Sequence, residues 1–553
     1  MVHSISRLCQ NLGIPKILTV AVFCLYFTCC VALTAAISYP IYAIKYLLTA
    51  ICPAAVFVLV LSIVRGKAFK ALVIIQAVYL AIINVFLLYN TFLNGVPVAN
   101  EGFFVIFEAF SPEKVHENWG WLKANFSVVG VALVVAFIAG FVFLTRRTLR
   151  YAEKKANIPF IIIVTILLLG VGLYKYKNVP ELLSKYQQSA VIINYDRYRQ
   201  VVESMKSVKD YSDTISFKAD CSCIEKKPLY VIVIGESATR HHWGIYGYGR
   251  DTTPLMQKRE NAFFFKDAVA ASAYTIVALT NCLTIQDAEG KRISLVDFYN
   301  KSGLHTELYS NQPEGGRDDT ALGYLFNNTQ HKYYTSRFGQ YAKHDDIIVD
   351  KAIESIKNND APTAIFIHLL GSHVDFYDRY PEEFAVFSSS DVVEDKPYIP
   401  QFKKKLAALR INSYDNSIYY TDSLLDKIID AVEETGRYGF VFYFSDHGEE
   451  NFEFRNHFGR GGLNSKVVYD IPMMLWTSAG FLRDHQEMLT GDILRRPIWM
   501  GDLLPSLADL SGISSQHLDL KKSFFRQTFE TGARLCDGNP YDTLEGPPQA
   551  QTE

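Results

Sequence analysis

Apolar and polar positions follow two different patterns along this chain. In the first third, apolar residues run on without interruption: no charge falls in residues 17–44, and after a break at Pro40 and Lys45 a second apolar stretch covers 46–64. Further uncharged stretches cover 71–94, 125–145 and 156–174. Each is about long enough to cross a ~30 Å hydrocarbon core as a helix, so five membrane spans are predicted. A cleaved signal peptide would remove only the first and leave four. Beyond about residue 228 the runs shorten to five or six apolar residues and alternate with amphipathic, helix-like segments. Strands are predicted at 229–234, 306–310, 364–369, 440–444 and 471–476, the alternation of a mostly parallel sheet with helices on both faces.

The loop charges orient the spans. Arg65, Lys67 and Lys70 follow span two, and Arg146, Arg147, Arg150, Lys154 and Lys155 follow span four, whereas the loop after span three carries Glu101, Glu108, Glu113 and Glu117 against Lys114 and Lys123. Basic loops stay inside, so the amino terminus is cytoplasmic and an odd span count sends everything after about Lys175 outside. The predicted organisation is a transmembrane domain over 1–177, a charged, tyrosine-rich bridge over 178–227 and an extracytoplasmic α/β domain over 228–553. From about Leu535 the chain is rich in Pro, Gly and polar residues and reads as a loose tail. Cys221, Cys223, Cys282 and Cys536 fall on the oxidising side, where four cysteines allow three pairings and the sequence does not choose.

Two strand ends are chemically loaded. YVIVIGES places Glu236 just past a buried strand, and GFVFYFSDHGEE places Asp446 and His447 past another. Ligand groups in open α/β sheets sit at the carboxyl ends of strands. A hard oxygen beside an imidazole nitrogen suits zinc. Between them, SAYTIVALTNCL sets small and hydroxylic residues before an apolar run, so Thr275 stands near a helix amino terminus, where negative charge on an oxygen or a phosphate is favoured. Such a threonine is more often a cap than a nucleophile, unless a metal lies beside it.

Gly235-Glu236-Ser237, Tyr246-Gly247-Tyr248, Arg250-Asp251-Thr252-Thr253-Pro254, Gly371-Ser372-His373, Tyr414-Asp415-Asn416-Ser417 and Ser445-Asp446-His447-Gly448-Glu449, with His457, together resemble the phosphoethanolamine transferases of Gram-negative envelopes. These are membrane-anchored members of the alkaline phosphatase superfamily, and the five-span anchor is similar as well. The resemblance implies an alkaline phosphatase-like outer domain in the periplasm and a Zn²⁺ held by Glu236, Thr275, Asp446 and His447. It further implies Thr275 as nucleophile and His373 and His457 binding phosphate or a second zinc, with Arg317 helping to hold the phosphate. Asp415 and Asp422 recur in the pattern and read as structural. The implied donor is phosphatidylethanolamine and the acceptor lipopolysaccharide, at lipid A or a core sugar, or another envelope molecule, without nucleic acid. Many relatives that modify lipid A carry a cysteine pair flanking the nucleophile; here Ala271 and Asn281 stand there, which leaves core sugar, glucan and protein acceptors open. A glycerophosphate transferase of the lipoteichoic acid synthase type and an inactive scaffold of the same fold are the alternatives. A sulfatase is disfavoured, because no Cys-x-Pro-x-Arg or Ser-x-Pro-x-Arg motif is present.

Overall fold

The computed structural model describes residues 14–36, 40–94, 128–155, 158–176, 217–287, 290–312, 321–335, 344–373, 376–460, 465–489 and 491–547, with Tyr195 and Arg199. The chain divides into two compact units, one built from the amino-terminal helices and the other around a sheet.

Among the described residues, five helices make up the first unit: α1 (Ile14–Ala36), α2 (Pro40–Ile63), α3 (Gly66–Asn94), α4 (Val128–Leu149) and α5 (Ile158–Tyr176). They lie at the five predicted spans, but α2 starts at Pro40 and runs on through Lys45, where the sequence places a break. Pro40 lacks an amide donor, which suits it to a first helical turn and not to a helix interior. Phe23, Phe27, Phe69, Val73 and Phe141 are buried among the helices, while Leu33, Ile75, Val135, Phe143, Leu167 and Val171 are exposed. Helices apolar on both inner and outer faces suit a lipid surround. Among the described residues, 15–33 and 128–149 are long and apolar enough to cross a bilayer, and 47–63 and 161–171 are shorter apolar helical stretches. Lys16 Nζ donates to Val64 O (3.0 Å) and Lys154 O (3.1 Å), tying the start of α1 to the segments that follow α2 and α4.

The largest sheet of the second unit has seven strands: β1 (Leu229–Gly235), β2 (Ala262–Phe264), β3 (His305–Ser310), β4 (His331–Tyr334), β5 (Thr363–His368), β6 (Gly439–Ser445) and β7 (Met473–Thr477). Their order across the sheet is β2-β7-β6-β1-β5-β3-β4. The pairs β6–β1, β1–β5, β5–β3 and β3–β4 are parallel, and β6–β7 and β7–β2 antiparallel. The sheet is therefore mixed: the predicted strand at 471–476 starts at Met473 and runs against its neighbour. Every residue of β1, β5 and β6 is buried, as expected of central strands covered on both faces. Helices α6 (Thr275–Leu283), α7 (Asp346–Asn358) and α8 (Lys404–Glu434) matter most for the site.

The bridge packs on this unit from Phe217, whose ring lies 5.0 Å from Phe298, and Asp220–Cys221 pairs with Ile513–Ser514. Over 535–545 the predicted loose tail is instead folded: Leu535–Cys536 pairs with Asn539–Pro540, and Cys536 is fully buried. Among the described cysteines, Cys221 and Cys223 are free thiols with sulfurs 3.4 Å apart, and Cys282 and Cys536 are buried singly.

Candidate metal centre

Strand register builds the site. In the sheet Gly235 pairs with Ser445 and Ile234 with His368, so the central strands finish level and the next residues, Glu236 and Asp446, emerge side by side. Oxygens of Glu236 and Asp446 and a ring nitrogen of His447 lie within 4.8 Å of one another, all buried. Thr275 is the first residue of α6, and its hydroxyl donates to Glu236 Oε2 (3.0 Å) and stands 3.3 Å from His447 Nε2.

The surroundings aim these groups inward. Ser237 has a left-handed backbone (φ 58°), which lets its amide donate to Asp446 Oδ1 (3.0 Å) while its hydroxyl donates to Glu236 Oε1 (2.7 Å). Tyr414, on α8, donates to Ser237 O (2.6 Å) and accepts from Thr239 N (2.8 Å). His447 N also donates to Asp446 Oδ1 (2.7 Å), whereas Asp446 Oδ2 is buried without a hydrogen-bond partner. His447 Nδ1 lies 2.9 Å from Gly448 O, the kind of contact that keeps the proton on Nδ1 and the lone pair on Nε2.

The charges also point to a cation. Burial and the Glu236 charge push the Asp446 carboxyl well above the usual carboxylate range. Burial opposes the Glu236 charge too, but His447 and His373 in their protonated forms, the Arg460 guanidinium and the Ser237 hydroxyl hold that carboxyl below its usual range. Burial, then the Arg460 guanidinium, lowers His447 to about 3, so its imidazole is neutral and able to ligate. Two facing carboxylates, a neutral imidazole, a hydroxyl and an orphaned buried oxygen fit one divalent ion, and the mixed oxygen and nitrogen set fits zinc.

The structure thus brings Glu236, Thr275, Asp446 and His447 together. His373 is half-buried within electrostatic reach of Glu236 and His447. Its turn is fixed by buried Asp345, which accepts from Leu370 N (2.8 Å) and Gly371 N (2.9 Å). His457 stands outside the ligand cluster, fully buried with Nδ1 3.4 Å from Glu450 Oε2. Arg317 lies outside the described residues. Asp415 accepts from Tyr248 and Arg250 and lies 2.6 Å from His242 Nδ1, and Asp422 accepts from Leu255 N and Met256 N, so both serve to join α8 to the loops after β1.

Three residues at the site were not singled out from the sequence. Arg460 Nη1 lies 2.9 Å from His447 Nε2, delivered there because Glu450–Asn451 pairs back on Phe458–Gly459. Gln312 Nε2 donates to Glu236 Oε2 (3.3 Å). His368, last in β5, is lowered to about 4 by burial against the pull of Glu236, and its Nε2 is buried without a partner. A basic residue three places after His457 was the available signal for Arg460; Gln312 and His368 offered none.

Comparison with known proteins places the chain in a family. The family described as Sulfatase matches residues 228–513. The phosphoethanolamine transferase EptC of Escherichia coli (strain K12) is 28% identical over 500 residues, covering 85% of this chain and 84% of its own. A crystal structure of the C-terminal periplasmic domain of the Escherichia coli EptC in complex with Zn is 27% identical with a TM-score of 0.53, over 59% of this chain and 96% of that one. The integral membrane protein lipooligosaccharide phosphoethanolamine transferase A from Neisseria meningitidis, 17% identical, shares the fold over 92% of this chain and 97% of its own, with a TM-score of 0.63. On the match through its sheet domain, the chain belongs to the sulfatase family, alongside relatives spanning most of its length that are phosphoethanolamine transferases.

Proposed function

We propose that this chain transfers phosphoethanolamine from phosphatidylethanolamine to lipopolysaccharide, at lipid A or a core sugar, with Thr275 as the covalent carrier. The observation that carries the proposal is the Thr275 hydroxyl, set at the start of α6, 3.0 Å from Glu236 Oε2 and 3.3 Å from His447 Nε2. Glu236, Asp446, His447 and Thr275 would hold Zn²⁺, whose charge favours the threonine alkoxide and offsets charge on phosphoryl oxygens.

The chain's own residues supply the rest. A threonine hydroxyl is a poor nucleophile until its proton has somewhere to go, and here it already donates to a carboxylate oxygen of Glu236. Thr275 Oγ1 forms the bond to phosphorus while the bond from phosphorus to the glyceryl oxygen breaks, and diacylglycerol leaves with a proton. An acceptor hydroxyl or phosphate then attacks the same phosphorus and frees the threonine. The α6 amino terminus and Arg460 present positive charge to the phosphoryl group. His373 lies within reach of the Glu236 charge. The five apolar helices fit an inner-membrane anchor that keeps the periplasmic domain near a lipid donor and a lipid-linked acceptor, raising their effective concentration.

The test is incubation of the detergent-purified full chain with phosphatidylethanolamine and no acceptor, followed by peptide mass spectrometry. A phosphoethanolamine adduct on the peptide containing Thr275, absent from Thr275→Ala and retained in part by Thr275→Ser, is expected. An adduct on Thr280 or Ser272, or normal transfer by Thr275→Ala, would refute the nucleophile. A glycerophosphate adduct would instead favour the lipoteichoic acid synthase type of reaction.

A further inference from the structure

The match to the sulfatase family stops at residue 513, yet the chain beyond it reaches back to the site. Leu535–Cys536 and Asn539–Pro540 form a two-residue hairpin whose tip, Asp537-Gly538, has left-handed backbone at both residues (φ 48° and 81°). This is the conformation that an Asp-Gly type I′ turn favours. The tip lies against the turn that precedes Thr275. Asp537 N donates to Ala271 O (3.0 Å), Asp537 Oδ1 accepts from the Ser272 hydroxyl (2.6 Å), and Asp537 Oδ2 accepts from Ala273 N (3.0 Å) and the Tyr469 hydroxyl (3.0 Å). Ser272 Oγ in turn accepts from Tyr274 N (3.1 Å). Ala271, Ser272, Ala273 and Tyr274 are all buried.

Within the turn's own sequence, the Ser272 hydroxyl supports Tyr274 N, and Ser272 is in turn held by Asp537. The residue that caps α6 is Tyr274, whose side chain makes no capping bond, so the entry of Thr275 into the helix leans on the Ser272 hydroxyl and on the Asp537 carboxylate that holds it. The hairpin is itself anchored downstream: Tyr541 donates to Asp470 Oδ1 (2.6 Å), Lys466 N donates to Glu545 O (2.6 Å), and Arg455 donates to Glu545 Oε2 (2.8 Å). One segment therefore spans from the nucleophile's turn to the 450–470 region that carries Arg460.

We propose that Asp537 is a positioning residue for Thr275, and that residues 535–545 form a strap holding the threonine hydroxyl in line with the phosphorus. The proposal rests on the reading of Thr275 as nucleophile. Asp537 touches neither the ligand cluster nor Thr275 itself, so its effect passes through Ser272 and Ala273. A misplacement of about 1 Å at a reacting atom can slow a reaction about 100-fold without loss of binding.

The test uses the detergent-purified, zinc-loaded full chain and measures single-turnover formation of the Thr275 adduct, KM for phosphatidylethanolamine, and zinc affinity. Asp537→Ala and Asp537→Asn should slow adduct formation about 10- to 100-fold, while KM and zinc affinity stay within about threefold. Ser272→Ala should show a smaller loss, and the double variant should be no slower than Asp537→Ala alone, because both act through the same bonds. A merely structural role would lower the yield of zinc-loaded protein and leave its rate unchanged, and that result overturns the proposal. So does an adduct rate within twofold of the parent. Should Asp537→Ala fail to accumulate, Asp537→Asn and Ser272→Ala decide by the same criteria. If the parent chain labels a different peptide, the nucleophile reading fails and the strap falls with it; if the parent labels Thr275 and Asp537→Asn does so equally fast, only the strap fails.

Discussion

Gly371 and Gly436 offer a paired measurement of how tightly the metal centre is built. Both have left-handed backbone, φ 53° and 62°. An alanine forced into that region costs about 1 kcal/mol at either site. The surroundings differ. A Cβ on Gly371 would lie 2.9 Å from Glu236 N and 3.0 Å from Glu236 O, whereas one on Gly436 meets nothing within 4 Å. Backbone cannot step aside as a flexible side chain can, so Gly371→Ala adds an overpacking cost of about 1–3 kcal/mol and moves the peptide that carries Glu236. Gly371→Ala should therefore lose about 2–4 kcal/mol and Gly436→Ala about 1 kcal/mol, at roughly 2 °C of unfolding temperature per kcal/mol in a domain of this size. Zinc affinity, measured by chelator competition on the full chain, should fall about 10- to 100-fold for Gly371→Ala, the range seen when a group supporting a metal ligand is disturbed. It should not change for Gly436→Ala. Equal melting shifts and equal zinc affinities would refute the claim that Gly371 is required by contact with Glu236.

Asp446→Asn should abolish transfer and weaken zinc binding at least tenfold. In chelator, however, it should flatten the pH dependence of the parent chain: a carboxyl raised in the folded state gives stability that is full below its unfolded pKa near 4 and lost as pH rises through the folded value, and urea unfolding across that range checks this. Arg460→Gln should raise KM for phosphatidylethanolamine about tenfold while the adduct still forms on Thr275, as expected from loss of a charged phosphate contact; an unchanged KM removes Arg460 from the donor site. His242, raised to about 9 by Asp415 and Glu453 against the cost of burial, contributes stability that is full below about pH 6.5 and lost as pH rises through 9. His242→Gln should remove that alkaline slope, which is at most about 1.4 kcal/mol per pH unit, in urea unfolding from about pH 6 to about pH 10.

How much of this was legible depended on whether the signal was contiguous. β1, β5 and β6 are unbroken apolar runs because both faces of a central parallel strand are covered, and each was found within a residue or two of its ends. β2 and β4 were missed because they are short edge strands, partly exposed, whose residues do not stand out from loops. The reversal of β7 was invisible for another reason: a buried strand has the same composition in either direction. Pro40 misled the placement of the first break, since a proline reads as a helix stop although it also suits a helix start.

The site divides along the same line. Glu236 and Asp446 could be read because each ends an apolar run, and register then does what the sequence implies, setting the two ends level. Thr275 could be read as a helix start. Arg460, Gln312 and Asp537 reach their places through chain reversal and long-range contact; Asp537 lies 264 positions from Ala273, whose amide it accepts. The Asp-Gly pair at 537–538 did carry a local turn signal, but its flanks are two-residue strands with little apolar alternation, so tail composition outweighed it. Local pattern therefore located the groups that hold charge at the centre. The groups that aim them depend on which distant segments meet, and that information is distributed across the sheet rather than written in any one stretch.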